Sequence, residues 1–172
     1  IILSALGQAM LTLSRLAQDL ILFSMPEFGY FHLPAEFTTG SSIMPQKRNP
    51  DVLELLRAKA AKVLAAANLV AEIVRAAPSG YNRDWQEAKT PFMEGFDLTI
   101  SSLQIMAPLV AGLRVDAAAL RHGFTPDVFA TDRALELVAK GMPFRDAYNE
   151  VKNNLQQLAG YSPDEALAAK RH

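Results

Sequence analysis

The sequence predicts an all-α protein, in which long central helices of a bundle are followed by a small helical C-terminal domain. Apolar residues recur at spacings of three and four through the first part of the chain, which is the period of an amphipathic helix. No period-two run of β-branched residues, the pattern typical of a half-buried strand, occurs in the 172 residues. We expect the bundle part to span residues 1–113 and the small domain to span residues 114–172.

The first predicted helix starts at Ile1, already inside an apolar pattern and without a capping residue. This beginning suggests that a helix has been cut open, so we interpret the chain as a C-terminal portion that lacks an N-terminal region. The apolar seam of this helix consists of Leu3, Leu6, Met10, Leu13, Ala17 and Leu20.

A second long helix is predicted from Asn49 as N-cap and Pro50 at the first helical position to about Ala77. Residues 78–80, Pro-Ser-Gly, end it. Small residues lie on nearly all sides of this helix, which favours close neighbours on several sides. We therefore expect it at the centre of a bundle that is shared between subunits.

The remaining predicted elements are also helical. A third long helix is expected to start near Thr90-Pro91, a cap followed by proline, and to continue to Gly112. Shorter helices are expected at residues 116–121, 131–140 and 143–158, with a last one opening at Ser162.

Composition excludes several classes of function. Lys and Arg number 17 against 18 Asp and Glu, so the sequence has no basic stripe for nucleic acid and no polybasic patch for a membrane. Without cysteine, the chain has no disulfides, thiolate catalysis or zinc-thiolate sites, which fits a reducing cytoplasm. The three histidines fit no metal site by their spacing.

The loop at residues 38–50 carries the densest chemistry. Gly40, Ser41 and Ser42 precede Ile-Met-Pro-Gln-Lys-Arg-Asn-Pro, which runs directly into the long helix. Removing a proton next to a carboxylate requires a base near the carbon and a fixed cation beside the carboxylate oxygens. Lys47 is our candidate for that cation, and the side-chain amide of Asn49 could donate a hydrogen bond. A Gly-Ser-Ser stretch could instead be a flexible linker.

Residues 81–89, Tyr-Asn-Arg-Asp-Trp-Gln-Glu-Ala-Lys, form a second polar cluster directly after the proline-glycine break. An aromatic hydroxyl, two amides, two cations and two carboxylates could bind a multiply charged ligand. On composition alone, a solvated loop between helices explains the same pattern.

Residues 40–50 closely resemble the signature loop of the fumarase/aspartase superfamily, whose members eliminate fumarate from a substituted succinate. Within that superfamily, the sequence resembles the argininosuccinate lyase family at Gln46 and in the spacing of Tyr81, Gln86 and Lys89. The run at residues 140–147 resembles the small C-terminal domain of the same family. The resemblance covers nearly all of the chain. It implies reversible elimination of argininosuccinate to arginine and fumarate, a step of arginine biosynthesis, with no cofactor.

The resemblance also implies roles and partners. Ser41 matches the position of the family's catalytic base. The resemblance also implies a homotetramer in which three subunits contribute to each active site. The N-terminal region that carries further active-site segments is missing here, so we expect the isolated chain to be inactive. The implied catalytic residues are Ser41, Lys47 and Asn49, and the implied substrate-binding residues are Ser42, Tyr81, Gln86 and Lys89.

Three alternatives stay open at this point. A related lyase could release fumarate from another succinate adduct. A catalytically silent relative could serve as a crystallin-like structural protein on the same fold. A plain helical assembly module would use its bundle helices only to pair with other subunits.

Overall fold

A computed structural model describes residues 1–160, 164 and 168. The described residues fold mainly into helices, which confirms the all-α prediction. The chain divides into two compact units, residues 1–116 and residues 117–172.

The first unit is built on three long helices. They are α1 (Ile2–Ser24), α2 (Asp51–Arg75) and α3 (Lys89–Ala111). The end of α1 packs against the start of α2 and the end of α3, so consecutive helices run antiparallel. The buried residues at this end are Ala17, Leu20, Leu53, Leu56, Met106 and Leu109. A second cluster, further along the bundle, consists of Met10, Ala60 and Val63.

The predicted seam of α1 is confirmed. Four of its six residues are buried and the other two pack against the core at intermediate depth, because a spacing of three and four keeps them on one face of the helix. The buried residues are Leu3, Met10, Ala17 and Leu20, and the intermediate ones are Leu6 and Leu13.

The predicted start of α2 was wrong by one residue. Pro50 is the capping residue, since its carbonyl accepts the first helical hydrogen bond, from the Glu54 amide at 3.1 Å. Asn49 lies outside the helix because its backbone pairs with Thr39 across the preceding loop. The helix itself begins at Asp51.

The predicted start of α3 was also slightly wrong. The helix begins at Lys89, with Ala88 as its capping residue, rather than at Thr90-Pro91. Pro91 lies in the first turn, where a backbone amide has no helical partner, so proline costs nothing there. As a result Lys89 is part of the helix and not of the loop before it.

A short antiparallel sheet was not anticipated. Strand β1 (Phe31–His32) pairs with β2 (Arg114–Val115), and the pairing joins the segment after α1 to the segment after α3. Close packing supports the same junction, because a Cβ at Gly112 would lie 2.8 Å from Cγ of Pro34. These contacts hold the end of the bundle from which the signature loop extends.

Within residues 117–160, the second unit contains three short helices. The structure describes 3-10 turns beside them, and Ala134, Val151 and Leu158 form a small core. The helix predicted to open at Ser162 falls where only residues 164 and 168 are described. The elements are α4 (Ala117–His122), α5 (Ala130–Ala139) and α6 (Phe144–Asn153), with 3-10 turns at Pro126–Phe129 and Leu155–Gly160.

Across the described residues, no helix combines the length and the apolar character that crossing a membrane requires.

Two leucines in the first turns of α2 test the assignment of its buried face. Leu53 is fully buried, whereas Leu55 is 60% exposed. We expect Leu53→Ala to lower the free energy of unfolding by about 2–5 kcal/mol, since it leaves a cavity in the core. Leu55→Ala, the matched control, should change it by less than about 0.5 kcal/mol. Urea unfolding followed by circular dichroism measures both, and equal losses would contradict the assignment.

Candidate active site

The two ends of the signature loop are joined by backbone hydrogen bonds between Thr39 and Asn49, a pair that we call the neck of the loop. The Thr39 amide donates to the Asn49 carbonyl at 3.0 Å, and the Asn49 amide donates to the Thr39 carbonyl at 2.7 Å. The Thr39 hydroxyl also hydrogen-bonds the carboxylate of Asp51, the first residue of α2. Residues 40–48 therefore form a loop whose two ends are held together at the head of the helix.

The Ser41 hydroxyl oxygen accepts hydrogen bonds from two backbone amides. Ile43 N–H donates at 3.3 Å and Met44 N–H at 3.2 Å. The Lys47 amide donates to the Met44 carbonyl at 3.0 Å, which turns the chain back toward the helix. Backbone amides aimed at an oxygen stabilise negative charge on it. The loop thus presents the hydroxyl oxygen of Ser41, a half-buried residue, in an environment suited to an anion.

The other candidate residues of this loop are open to ligand. Ser42 and Lys47 are exposed, and Asn49 is half-buried at the neck. Within the described part of the chain, no carboxylate forms an ion pair with Lys47. The Lys47 ammonium is therefore available to an anionic ligand.

The second polar cluster follows α2. Gly80 adopts φ +98°, a conformation that side chains rarely allow, and it redirects the chain after the helix. Tyr81 is 77% exposed, and its phenol oxygen accepts a hydrogen bond from Gln86 Nε2 at 3.3 Å. A 3-10 turn at Arg83–Gln86 brings these two side chains together. Lys89, exposed, opens α3 directly afterwards.

The structure does not bring the two clusters together within one chain. The signature loop precedes α2 and the second cluster follows it, so the 25 residues of the helix separate them. At 1.5 Å per residue, that separation is about 37 Å. Ser41 and Lys89 of the same chain therefore cannot contact one small substrate.

An open groove lies between α2 and α3. Its volume is about 850 Å³, and its walls combine small and apolar residues with a few charges. The lining residues are Lys62, Ala65, Ala66, Leu69, Pro91, Glu94, Gly95, Asp97, Leu98 and Ser101.

Sequence reasoning missed the contribution of Thr39 and Asp51. Thr39 lies in the predicted loop and Asp51 in the predicted helix that follows it. Their contact joins residues 12 apart across a loop, and no local pattern predicts such a pairing.

Comparisons with known proteins bear on the identity of this site. A family model described as "Lyase" matches residues 1–65. The argininosuccinate lyase of Sorangium cellulosum is 47% identical over 98% of this chain, which covers 39% of that protein. The argininosuccinate lyase of Xylella fastidiosa is 43% identical over 98% of this chain, which covers 38% of that protein.

Solved structures share the fold. An EDDS lyase in complex with formate superposes with a TM-score of 0.72 and 26% identity, over 87% of this chain and 30% of that one. A fumarate lyase:delta crystallin from Brucella melitensis superposes with a TM-score of 0.70 and 24% identity, over 98% of this chain and 36% of that one.

The family model and the fold shared with the EDDS lyase thus place the chain among the helical lyases. In this chain, that fold is a three-helix bundle segment with a polar loop at the head of its central helix. Its similarity over nearly its whole length is more specific: the chain belongs to the argininosuccinate lyase family. It spans about two fifths of the length of the curated relatives it matches.

Proposed function

We propose that this chain carries the catalytic loop and one substrate-binding loop of a cytoplasmic argininosuccinate lyase. The reaction is the reversible elimination of argininosuccinate to arginine and fumarate. The observation that carries the proposal is the pair of amides on the Ser41 oxygen, in a chain 47% identical to such an enzyme. The chain covers 39% of that relative, so we assign the remaining active-site segments to the region outside it.

Ser41 acts as the base in this mechanism. Its oxygen removes a proton from the carbon next to a carboxylate of the succinate moiety, and the electron pair moves into that carboxylate to form an aci-carboxylate. A free serine hydroxyl is too weak an acid to ionise at neutral pH, so the alkoxide requires strong stabilisation. The Ile43 and Met44 amides at 3.3 and 3.2 Å support that role.

Lys47 and Asn49 stabilise the charge that develops in the transition state. The Lys47 ammonium balances the second negative charge on the aci-carboxylate, and the Asn49 amide donates a hydrogen bond to it. Exposure of Lys47, without a carboxylate partner in the described part of the chain, supports this assignment. A prearranged cation is most effective when the closed site excludes water.

The carbon–nitrogen bond then breaks as the electrons of the aci-carboxylate form the double bond of fumarate. Arginine leaves after its nitrogen takes a proton from a general acid in the region outside this chain. Ser42, Tyr81, Gln86 and Lys89 bind the substrate. The Gln86–Tyr81 hydrogen bond of 3.3 Å supports a prearranged binding loop.

We further propose that each active site combines loops from several copies of the chain, in a homotetramer. The separation of about 37 Å between the two clusters of one chain supports this, because one substrate cannot span it. The alanine-rich surface of α2 and the open groove beside it offer close approach for helices of other subunits.

The first functional test uses a completed lyase, in which this chain is joined to the N-terminal region of the Sorangium cellulosum relative. We expect it to release fumarate from argininosuccinate, and we expect the chain alone not to. Ser41→Ala should lower kcat by about 100-fold or more, since it removes the general base. Ser42→Ala, the neighbouring hydroxyl, is the matched control and should cost much less in kcat.

Ordinary turnover by the isolated chain would contradict the proposal that the remaining active-site segments lie outside it. Equal effects of Ser41→Ala and Ser42→Ala would contradict the assignment of the base. Absence of turnover in an assembled completed lyase would favour a silent structural relative.

A second test concerns the substrate. If Gln86 and Lys89 bind argininosuccinate, Gln86→Ala and Lys89→Met in the completed lyase should each lower kcat/KM about tenfold or more. Glu87→Ala, in the same loop, should have little effect. Steady-state fumarate release measures all three. An unchanged kcat/KM in both binding-loop variants would favour a lyase that acts on another succinate adduct.

A further inference from the structure

We propose that Thr39 and Asp51 are a positioning pair, which fixes the neck of the signature loop to the first turn of α2. The pair thereby places Ser41 and Lys47 for the elimination. This inference rests on the proposed function for its catalytic consequence, although its structural part stands on the chain alone.

Thr39 is hydrogen-bonded both to Asn49, on the other side of the neck, and to Asp51 of the helix. Its backbone exchanges two hydrogen bonds with Asn49, at 3.0 and 2.7 Å, and any residue other than proline at position 39 could make them. The contact with Asp51 is different, because it requires a side-chain hydroxyl that donates to the carboxylate. A hydrogen bond to an ionised acceptor is stronger than one between neutral groups.

Asp51 is a suitable anchor for two reasons. As the first residue of α2, its carboxylate lies at the positive end of the helix dipole, which stabilises it there. Leu53, two residues later, is fully buried against α1 and α3, so the first turn is held by the core. The carboxylate thus provides a fixed point to which the hydroxyl can attach the loop.

The loop itself has little other support. Residues 42–48 are exposed, and among the described residues the hydrogen bonds within the loop are local ones, from Ile43 and Met44 to Ser41 and from Lys47 to Met44. These bonds shape the loop but do not attach it to the bundle. Its orientation relative to α2 therefore depends on the neck.

The neighbouring threonine offers a matched control. The Thr38 hydroxyl donates to the Ala35 carbonyl at 3.0 Å, within its own turn and not across the loop. Thr38→Val thus removes a threonine hydroxyl one residue away without touching the neck. Thr39→Ser keeps the donor, and Asp51→Asn keeps the shape of the acceptor while removing its charge.

The structural experiment uses the full chain and trypsin. Lys47 and Arg48 are exposed cleavage sites in the loop, and Lys140 in the second unit is the internal reference. Since proteolysis follows local opening, Thr39→Val should speed cleavage after residues 47 and 48 by about tenfold relative to Lys140. Asp51→Asn should speed it less, and Thr38→Val and Thr39→Ser should leave it nearly unchanged.

Unchanged cleavage in both Thr39→Val and Asp51→Asn would overturn the pair. Cleavage after Arg75, at the end of α2, guards against misfolding. Unfolding of either variant would speed cleavage there as well as in the loop. Faster cleavage confined to the loop supports the proposal.

The catalytic experiment uses the completed lyase. Thr39→Val should lower kcat about tenfold with little change in KM, because a misplaced base and cation are felt in the transition state. Thr39→Ser should restore kcat and Thr38→Val should not alter it. Equal kcat in Thr39→Val and the parent would overturn the positioning role. A parent without turnover contradicts the proposed function, while the trypsin experiment still decides whether the pair holds the loop.

Discussion

The packing of α2 against α1 and α3 is the constraint on which the rest of the structure depends. Four residues of α2 are buried, and they interlock with apolar positions of both neighbours along the helix. This packing makes α2 a rigid spacer with a polar loop at each end. The core therefore determines where the candidate chemistry lies, although no core residue takes part in it. The buried residues of α2 are Leu53, Leu56, Ala60 and Val63.

A rigid spacer has a direct consequence for function. The serine loop and the binding loop of one chain lie at opposite ends of α2, about 37 Å apart, so in the proposed function each loop serves a different active site. That proposal makes assembly part of the catalytic machinery. Antiparallel pairing of α2 helices from two copies would bring the head of one helix beside the tail of the other. The large share of exposed surface on α2 is compatible with such pairing.

The long helices could be predicted from the sequence because their apolar period is a local property. The boundaries at Asn49 and Thr90 were less accurate, since the start of α2 is decided by the pairing of Asn49 with Thr39, which no local rule contains. The strands β1 and β2 have two residues each, too few for a period. The family resemblance is confirmed by the relatives.

The candidate site divides in the same way. The dense chemistry of residues 40–50 and 81–89 could be found by residue type, and the residues selected there stay predictions until they are tested. The two amides on Ser41 and the Thr39–Asp51 contact depend on loop geometry, so only the structure provides them. The separation of the two clusters follows from the length of α2, which the structure defines by placing both ends of the helix.

Mixing two impaired variants tests the central claim, that the loops of one chain serve different sites, most directly. Completed lyases carrying Ser41→Ala or Lys89→Met would be dissociated together, reassembled and assayed for fumarate release. If the two loops of each site come from different copies, random assembly gives roughly a quarter of the sites both intact loops, and activity returns. Activity no higher than that of the separate variants, in assemblies shown to be mixed, would contradict the account.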